Sequence, residues 1–332
     1  MGTSSKKVKG IGLCSGGLDS ILSALVLRSQ GIDVEWISFE TPFFAADKAK
    51  KASFNHDIPL TVKNITPAYL KMLKNPHCGY GKNMNPCLDC HTLMFNLAGR
   101  VMEEQGFHFL FSGEVAGQRP MSQTKSSLRY VEKNSGYDGY ILRPLSALTL
   151  PETAIEAKGL VDRSRLLKIV GRGRKDQIRL AQEFGVTEYP APAGGCLLTD
   201  KGYSIRLADL FEHQDHYSEN ELHLLKYGRH LRLDPKTKII VGRTKHDNDR
   251  IIEYANPSFD MLLRVKDIPG PVALIPRSCG KDHLIMAASI CVGYSKAPND
   301  EQTWVVLKTP SAMETLRVTG KDSSEIQQFI IK

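Results

Sequence analysis

The chain has 332 residues, 41% hydrophobic and 24% charged, with a formal net charge of +8 at pH 7. That length suits two domains with a core each, and the composition is ordinary for a soluble globular protein. No apolar run approaches the roughly 20 residues that a bilayer span needs. Residues 1–9 are small, polar and basic, without the apolar stretch of a signal peptide, so a cytoplasmic protein with no membrane partner is expected. The positive charge permits a polyanionic partner. Seven cysteines in a reducing compartment point to metal, cluster or catalytic ligands before disulfides.

In chain order, residues 8–14 read as a short buried strand. Residues 19–30 read as a helix with Ile21, Leu22, Leu25 and Val26 on one face and Gly31 as its stop. Strands are predicted at 34–39, 60–65 and 107–111, and helices at 45–55, which is polar, and 88–105. Strands alternating with helices predict an α/β domain with a parallel sheet and helices on both faces. Such a sheet binds ligands at the carboxyl ends of its strands, where the loop of residues 15–20 lies. Residues 144–157 and 161–185 read as helical segments joined by turns. Residues 189–195 form a Pro/Ala/Gly loop that ends at Cys196, and a polar helical stretch runs to about residue 231. Beyond Asp234 the texture changes to strands at 238–241, 261–265 and 304–307 with a helix near 284–294. A catalytic domain over 1–233 and a smaller α+β domain over 234–332 are therefore expected.

Ser15-Gly16-Gly17-Leu18-Asp19-Ser20 carries the clearest chemistry. Two glycines let the backbone turn tightly and bring N–H groups close to an anion. Ser15 and Ser20 add hydroxyl donors, and the helix that follows aims its positive end at the same point. Asp19 would repel phosphate unless a cation lies between, so Mg²⁺ bridging Asp19 and pyrophosphate is expected. The absence of Gly-Lys-Ser/Thr excludes a Walker A loop. A plain Gly-Gly turn with a helix cap is the bland alternative. All six residues resemble the signature of the PP-loop ATPases, the adenine nucleotide α-hydrolase-like fold. The resemblance implies ATP split between its α and β phosphates to adenylate an oxygen.

Asn85-Pro86-Cys87-Leu88-Asp89-Cys90-His91 and Gly194-Gly195-Cys196 form the next constellation. With the loop, they resemble the tRNA 2-thiouridylases, which have Asn-Pro, a cysteine four residues after the proline, and a distant Gly-x-Cys. Cys90 and Cys196 match those positions, and Arg143-Pro144-Leu145 with Leu148-Thr149 resembles the stretch between them. The family's Gly-His-Tyr is replaced by Gly113-Glu114-Val115, and Cys87 is extra. The resemblance implies tRNA as substrate, Asp19, Cys90 and Cys196 as catalytic residues, and inorganic sulfide or a cysteine desulfurase relay as sulfur donor. In related thiolation enzymes a set such as Cys87, Cys90 and Cys196 holds a [4Fe-4S] cluster with one iron open. Zinc bound with Cys78, His77 or His91, a metal-free Cys90–Cys196 persulfide pair, and inert thiols are the other readings. Cys14, Cys279 and Cys291 read as core. A nitrogen-transferring PP-loop ligase leaves the three cysteines without a task, and an RNA-binding adaptor that only senses nucleotide is the non-enzymatic alternative.

Arg163, Arg165, Lys168, Arg172, Arg174, Lys175 and Arg179 crowd one segment, either as a solvated face or as a grip on RNA phosphates. Val241-Gly242-Arg243, Asn248-Asp249, Asp260, Pro269-Gly270-Pro271 and Ala287-Ala288-Ser289 resemble the RNA-binding domain of the NFACT proteins. That resemblance makes Arg243 and Lys281 candidate phosphate contacts. Family histidines near Pro-Gly are replaced in the Leu263-Arg264 region and at Val272, so chemistry tied to them is not carried over.

Overall fold

The computed structural model describes residues 7–192 and 195–332, so Gly194 of the Gly-Gly-Cys motif lies outside the described residues. The chain divides into two compact units that meet in sequence at Thr199 and Asp200.

The first unit is a three-layer α/β fold. Its elements are β1 (Lys9–Leu13), α1 (Leu18–Arg28), β2 (Asp33–Glu40), α2 (Asp47–His56), β3 (Leu60–Asn64), α3 (Thr66–Lys74), α4 (Cys87–Gln105), β4 (Phe109–Ser112), α5 (Lys125–Asn134), β5 (Ile141–Leu142), the short α6 (Ala154–Ala157) and α7 (Lys175–Glu183). Among the described residues its five strands pair in parallel in the order β3-β2-β1-β4-β5. The parallel sheet expected from the alternating pattern is present. Leu18, Ile21, Leu22 and Val26 of α1 join Trp36, Phe109 and Phe111 in its core. The strands around β1 read as continuous apolar runs because helices cover the sheet.

Residues 144–185 depart from the expected helices. They are mainly irregular, with single turns at Ala147–Thr149 and Arg163–Arg165 and with α6 and α7 as helices. Pro144 and Pro151 block helix propagation, and Gly159, Gly171 and Gly185 adopt positive φ.

The second unit opens with α8 (Lys201–His213) and α9 (Glu219–Leu224). It continues with β6 (Arg229–Asp234), β7 (Thr237–Val241), α10 (Lys245–Tyr254), β8 (Asp260–Val265), β9 (Val272–Pro276), α11 (Lys281–Gly293), β10 (Thr303–Lys308), β11 (Met313–Val318) and α12 (Ser323–Ile326). Among the described residues its six strands pair antiparallel in the order β11-β10-β8-β9-β7-β6, a second α+β unit as expected. Its starting point differs from the expected 233/234. Asp234 pairs with Thr237 inside the β6–β7 hairpin, and Leu231, expected in a helix, lies in β6 within the core of the second sheet. Cross-strand pairing that begins at Arg229 ties 229–234 to the second sheet whatever its local pattern.

Candidate functional site

Cys14 to Gly17 make the turn between β1 and α1. Gly16 has φ +69°, and a Cβ there would lie 2.2 Å from the Lys48 carbonyl carbon, so a larger residue cannot occupy it. Gly113, just past β4, plays the matching part. A Cβ on it would lie 2.3 Å from the Asp19 carbonyl carbon, so the first turn of α1 presses on the end of the sheet. Gly17 caps α1 without a side-chain hydrogen bond, which leaves the first N–H groups of α1 to an outside acceptor. The exposed Ser15 accepts from the Gly17 N–H through Oγ at 3.3 Å. Ser20 was expected to offer a hydroxyl donor, but here its one proton goes to the Gly17 carbonyl oxygen at 2.7 Å. Cys14 is a loop-adjacent core residue, its thiol pushed up to about 11 by burial.

Asp19 is the chemically pointed member. Its Oδ2 accepts from Gln118 Nε2 at 3.0 Å, while its Oδ1 is buried with no hydrogen-bond partner. Burial pushes this carboxyl above its ordinary range, against the Gln118 hydrogen bond, the charge of Arg174 and a weaker contact with the neighbouring Gln177 amide. An orphaned buried carboxylate oxygen beside an anion-binding turn fits a divalent cation. α7 packs on α1, so Arg174, at the N-cap of α7, acts electrostatically on Asp19.

The thiols come from two distant stretches. Cys87 and Cys90 lie in the first turn of α4, whose positive end favours thiolates. Cys196 returns to them because Leu197 N–H donates to the Phe43 carbonyl at 3.4 Å and the Thr199 carbonyl accepts from Asn83 Nδ2 at 2.6 Å. Burial pushes the Cys90 thiol up to about 12; Tyr69 opposes this by hydrogen bonding to it, and Cys196 and Cys87 add to the rise. Cys196 is raised too, first by burial and then by Cys87. Asn85 Nδ2 donates to Cys87 Sγ at 3.3 Å. The three thiols lie near enough to act on one another and on Tyr69 electrostatically, beside a helix N-terminus that favours thiolates, but among the described residues their sulfurs do not all come within 4.8 Å of one another. Nothing in the local pattern marks Tyr69 or Asn85 as neighbours of the thiols; Asn-Pro hinted only at the latter.

Glu114, where the family has Gly-His-Tyr, is a brace. His91 Nδ1 lies 2.7 Å from its Oε1, and Arg143 Nε and Ser112 Oγ donate to its Oε2 at 3.0 and 3.1 Å. Burial alone would raise this carboxyl, but Arg143 and His91 outweigh it and hold Glu114 down to about 2. His91 is thereby tied to the sheet, which removes that nitrogen from any zinc set. The brace anchors α4 one residue after Cys90.

The basic segment divides. Arg163 pairs with Glu156 and donates to the Ala147 and Leu150 carbonyls at 3.0 and 2.9 Å. Arg165 donates to the Ser29 carbonyl at 2.6 Å. Arg179 pairs with Asp176 and Glu183. Arg174 serves Asp19, whereas Lys168, Arg172 and Lys175 are exposed. In the second unit Asn248 Oδ1 accepts from the Val272 N–H at 2.9 Å and the buried Asp247 accepts from the Arg243 N–H at 3.1 Å. Arg243 also pairs with Asp247 at 3.2 Å, its side chain 47% exposed, and Lys281 opens α11 in solvent. No helix among the described residues is long and apolar enough to cross a membrane.

Comparison with known proteins follows the same division. Residues 3–159 match the family model for thiamine biosynthesis protein (ThiI), and residues 228–330 match the NFACT protein RNA binding domain. A probable tRNA sulfurtransferase of Oceanobacillus iheyensis is 25% identical over 161 residues, covering 46% of this chain and 38% of that protein. One from Acholeplasma laidlawii is 32% identical over 154 residues, 41% of this chain and 34% of that protein. The tRNA-specific 2-thiouridylase MnmA of Caldicellulosiruptor saccharolyticus is 24% identical over 213 residues, 57% of this chain and 55% of that protein. The chain thus spans from about a third to just over half the length of these relatives. By sequence, the chain joins a region similar to the ThiI family model to a region similar to the NFACT RNA-binding domain model.

Proposed function

We propose that this chain is a cytoplasmic ATP-dependent tRNA sulfurtransferase that adenylates a uridine carbonyl oxygen and replaces that oxygen with sulfur. The observation that most supports it is the gathering of Cys87, Cys90 and Cys196 around Tyr69, in the same unit as the phosphate loop. A nitrogen-transferring ligase leaves that arrangement without a role.

The backbone N–H groups at the uncapped start of α1 receive the ATP phosphates. Asp19 would hold Mg²⁺, which would supply positive charge to offset the pyrophosphate leaving group. The uridine oxygen attacks the α-phosphorus, and the bond to pyrophosphate breaks. Sulfur then adds at the carbon, and AMP leaves with the former carbonyl oxygen. Adenylation converts a poor leaving group into a good one. The three thiols would hold a [4Fe-4S] cluster, which supplies an iron without a protein ligand for sulfide delivery. Tyr69 hydrogen-bonds Cys90 and orients its sulfur. The exposed cations Lys168, Arg172, Lys175, Arg243 and Lys281 hold tRNA by its phosphates.

Anaerobic purification with iron, sulfide and zinc analysis, run beside a tRNA thiolation assay, tests the reading. About four irons per chain are expected, and each of Cys87→Ala, Cys90→Ala and Cys196→Ala should bleach the protein. Colourless protein with zinc in the three-thiol set would replace the cluster. Metal-free protein that still thiolates RNA would replace it with a persulfide route. Absence of ATP-dependent pyrophosphate release with any tRNA would end the enzymatic reading.

A further inference from the structure

A second set of metal-ligating side chains lies beside the three thiols without sharing any of them. One ligand atom each from His77, Cys78 and Asp89 lies within 4.8 Å of the others. His77 and Cys78 are neighbours on the loop between α3 and α4, and Asp89 is in the first turn of α4, so the set spans two elements. Asp89 is only 8% exposed, and no ion pair to it is found among the described residues. A buried carboxylate without a cation is costly. Its Oδ2 is already aimed by the Cys78 N–H, which donates to it at 2.9 Å.

Tyr130 completes the surroundings. Its hydroxyl lies 3.2 Å from His77 Nδ1 and also hydrogen-bonds Cys78. A metal-binding histidine ordinarily commits one ring nitrogen to such an outer partner, which fixes the ring and leaves Nε2 for the ion. Nitrogen, thiolate and carboxylate donors together suit Zn²⁺ in a tetrahedral site whose fourth position takes water.

We propose that His77, Cys78 and Asp89 form a zinc site distinct from the Cys87–Cys90–Cys196 set, and that its ion pins the loop of residues 75–86 to α4. That loop carries Asn85, which donates to Cys87, so the ion steadies the approach to the three thiols. The inference stands on these residues whether or not the protein transfers sulfur.

The test is zinc and cobalt binding by the full chain, with iron counted in the same samples. After anaerobic reconstitution, the wild type should hold one Zn²⁺ and, with Co²⁺ instead, show a sulfur-to-cobalt charge-transfer band. A variant with Cys87, Cys90 and Cys196 all changed to Ser should lose iron but keep the zinc and that band. Cys78→Ser and His77→Ala, both at exposed positions, should lose zinc at least about tenfold in affinity and keep iron. Retention of ATP binding in each variant shows that it has folded. The proposal is overturned if the wild type takes up no zinc on titration. It is equally overturned if zinc survives Cys78→Ser and disappears with the triple variant, since the ion would then belong to the three thiols.

Discussion

In the first unit the motif residues hold chemistry in an unsatisfied form. Asp19 keeps a buried oxygen with no partner, and Cys90 and Cys196 are desolvated thiols that repel one another when ionised. In the second unit the motif residues are consumed by the fold. Asn248 is bonded to the Val272 backbone, Asp247 to Arg243, and Ala287 and Ala288 are core. A motif that leaves polar groups unpaired in a buried place marks a reaction centre, because the chain carries a stability cost that only a ligand relieves. A motif whose polar groups are all paired marks a scaffold, and the binding is done by the cations that the scaffold displays.

The sharpest way to break that contrast is Asp19→Ala. Loss of the charge-assisted contact costs about 1.5–3 kcal/mol, and loss of the metal several more, so pyrophosphate release should fall at least about 10³-fold. Stability should hold or rise. The carboxyl's folded pKa is raised, so its ionised form is penalised above that pKa and the variant removes the penalty. An unchanged rate, or a clear drop in melting temperature, would put Asp19 among the scaffold residues.

Glu114→Gln probes the brace that anchors α4 within the first unit. It leaves the buried Arg143 short of its nearest counter-charge and should cost about 3–5 kcal/mol, read from the thermal midpoint of the first unit. Glu114 is depressed, so its stabilisation is complete above its ordinary value of 4.5 and fades as pH falls towards about 2. The wild type should therefore lose stability across that acid window, and Glu114→Gln should flatten the loss. A parallel acid limb in both proteins would remove Glu114 from the account.

Asn248→Ala should cost about 1–3 kcal/mol, because the Val272 N–H, in a strand start that is fully buried, loses its acceptor. The melting of the second unit should move, and ATP binding should not. Weaker RNA binding without any loss of stability would show that this motif reads RNA directly.

The smallest effect belongs to the exposed cations. Arg243→Ala and Lys281→Ala should each weaken binding of many RNA sequences alike and reduce the salt slope by about 1; Lys281→Ala should change stability by less than about 0.5 kcal/mol, whereas Arg243→Ala also takes the counter-charge from the buried Asp247 and should cost more. Fluorescence anisotropy at several salt concentrations reads both. Base-selective loss would contradict backbone contact.

What local pattern carries was legible from the residues alone. Apolar runs alternating with helical periods announced the parallel sheet, and the glycines of 15–20 announced a tight turn between β1 and α1, because both signals are written within a few neighbouring residues. The helix read at 88–105 begins one residue earlier, so that Cys87 joins Cys90 in the first turn of α4. Partners far apart in sequence were decided only by the tertiary structure. Arg174, read as part of an RNA face, acts on Asp19 because α7 docks on α1. Tyr69 meets Cys90, and Glu114 clasps His91 and Arg143, through contacts that no local period encodes. The start of the second unit follows the same logic. Residues 229–234 look no different from a polar helical tail until β7 pairs with them, since strand pairing and burial override weak local preference.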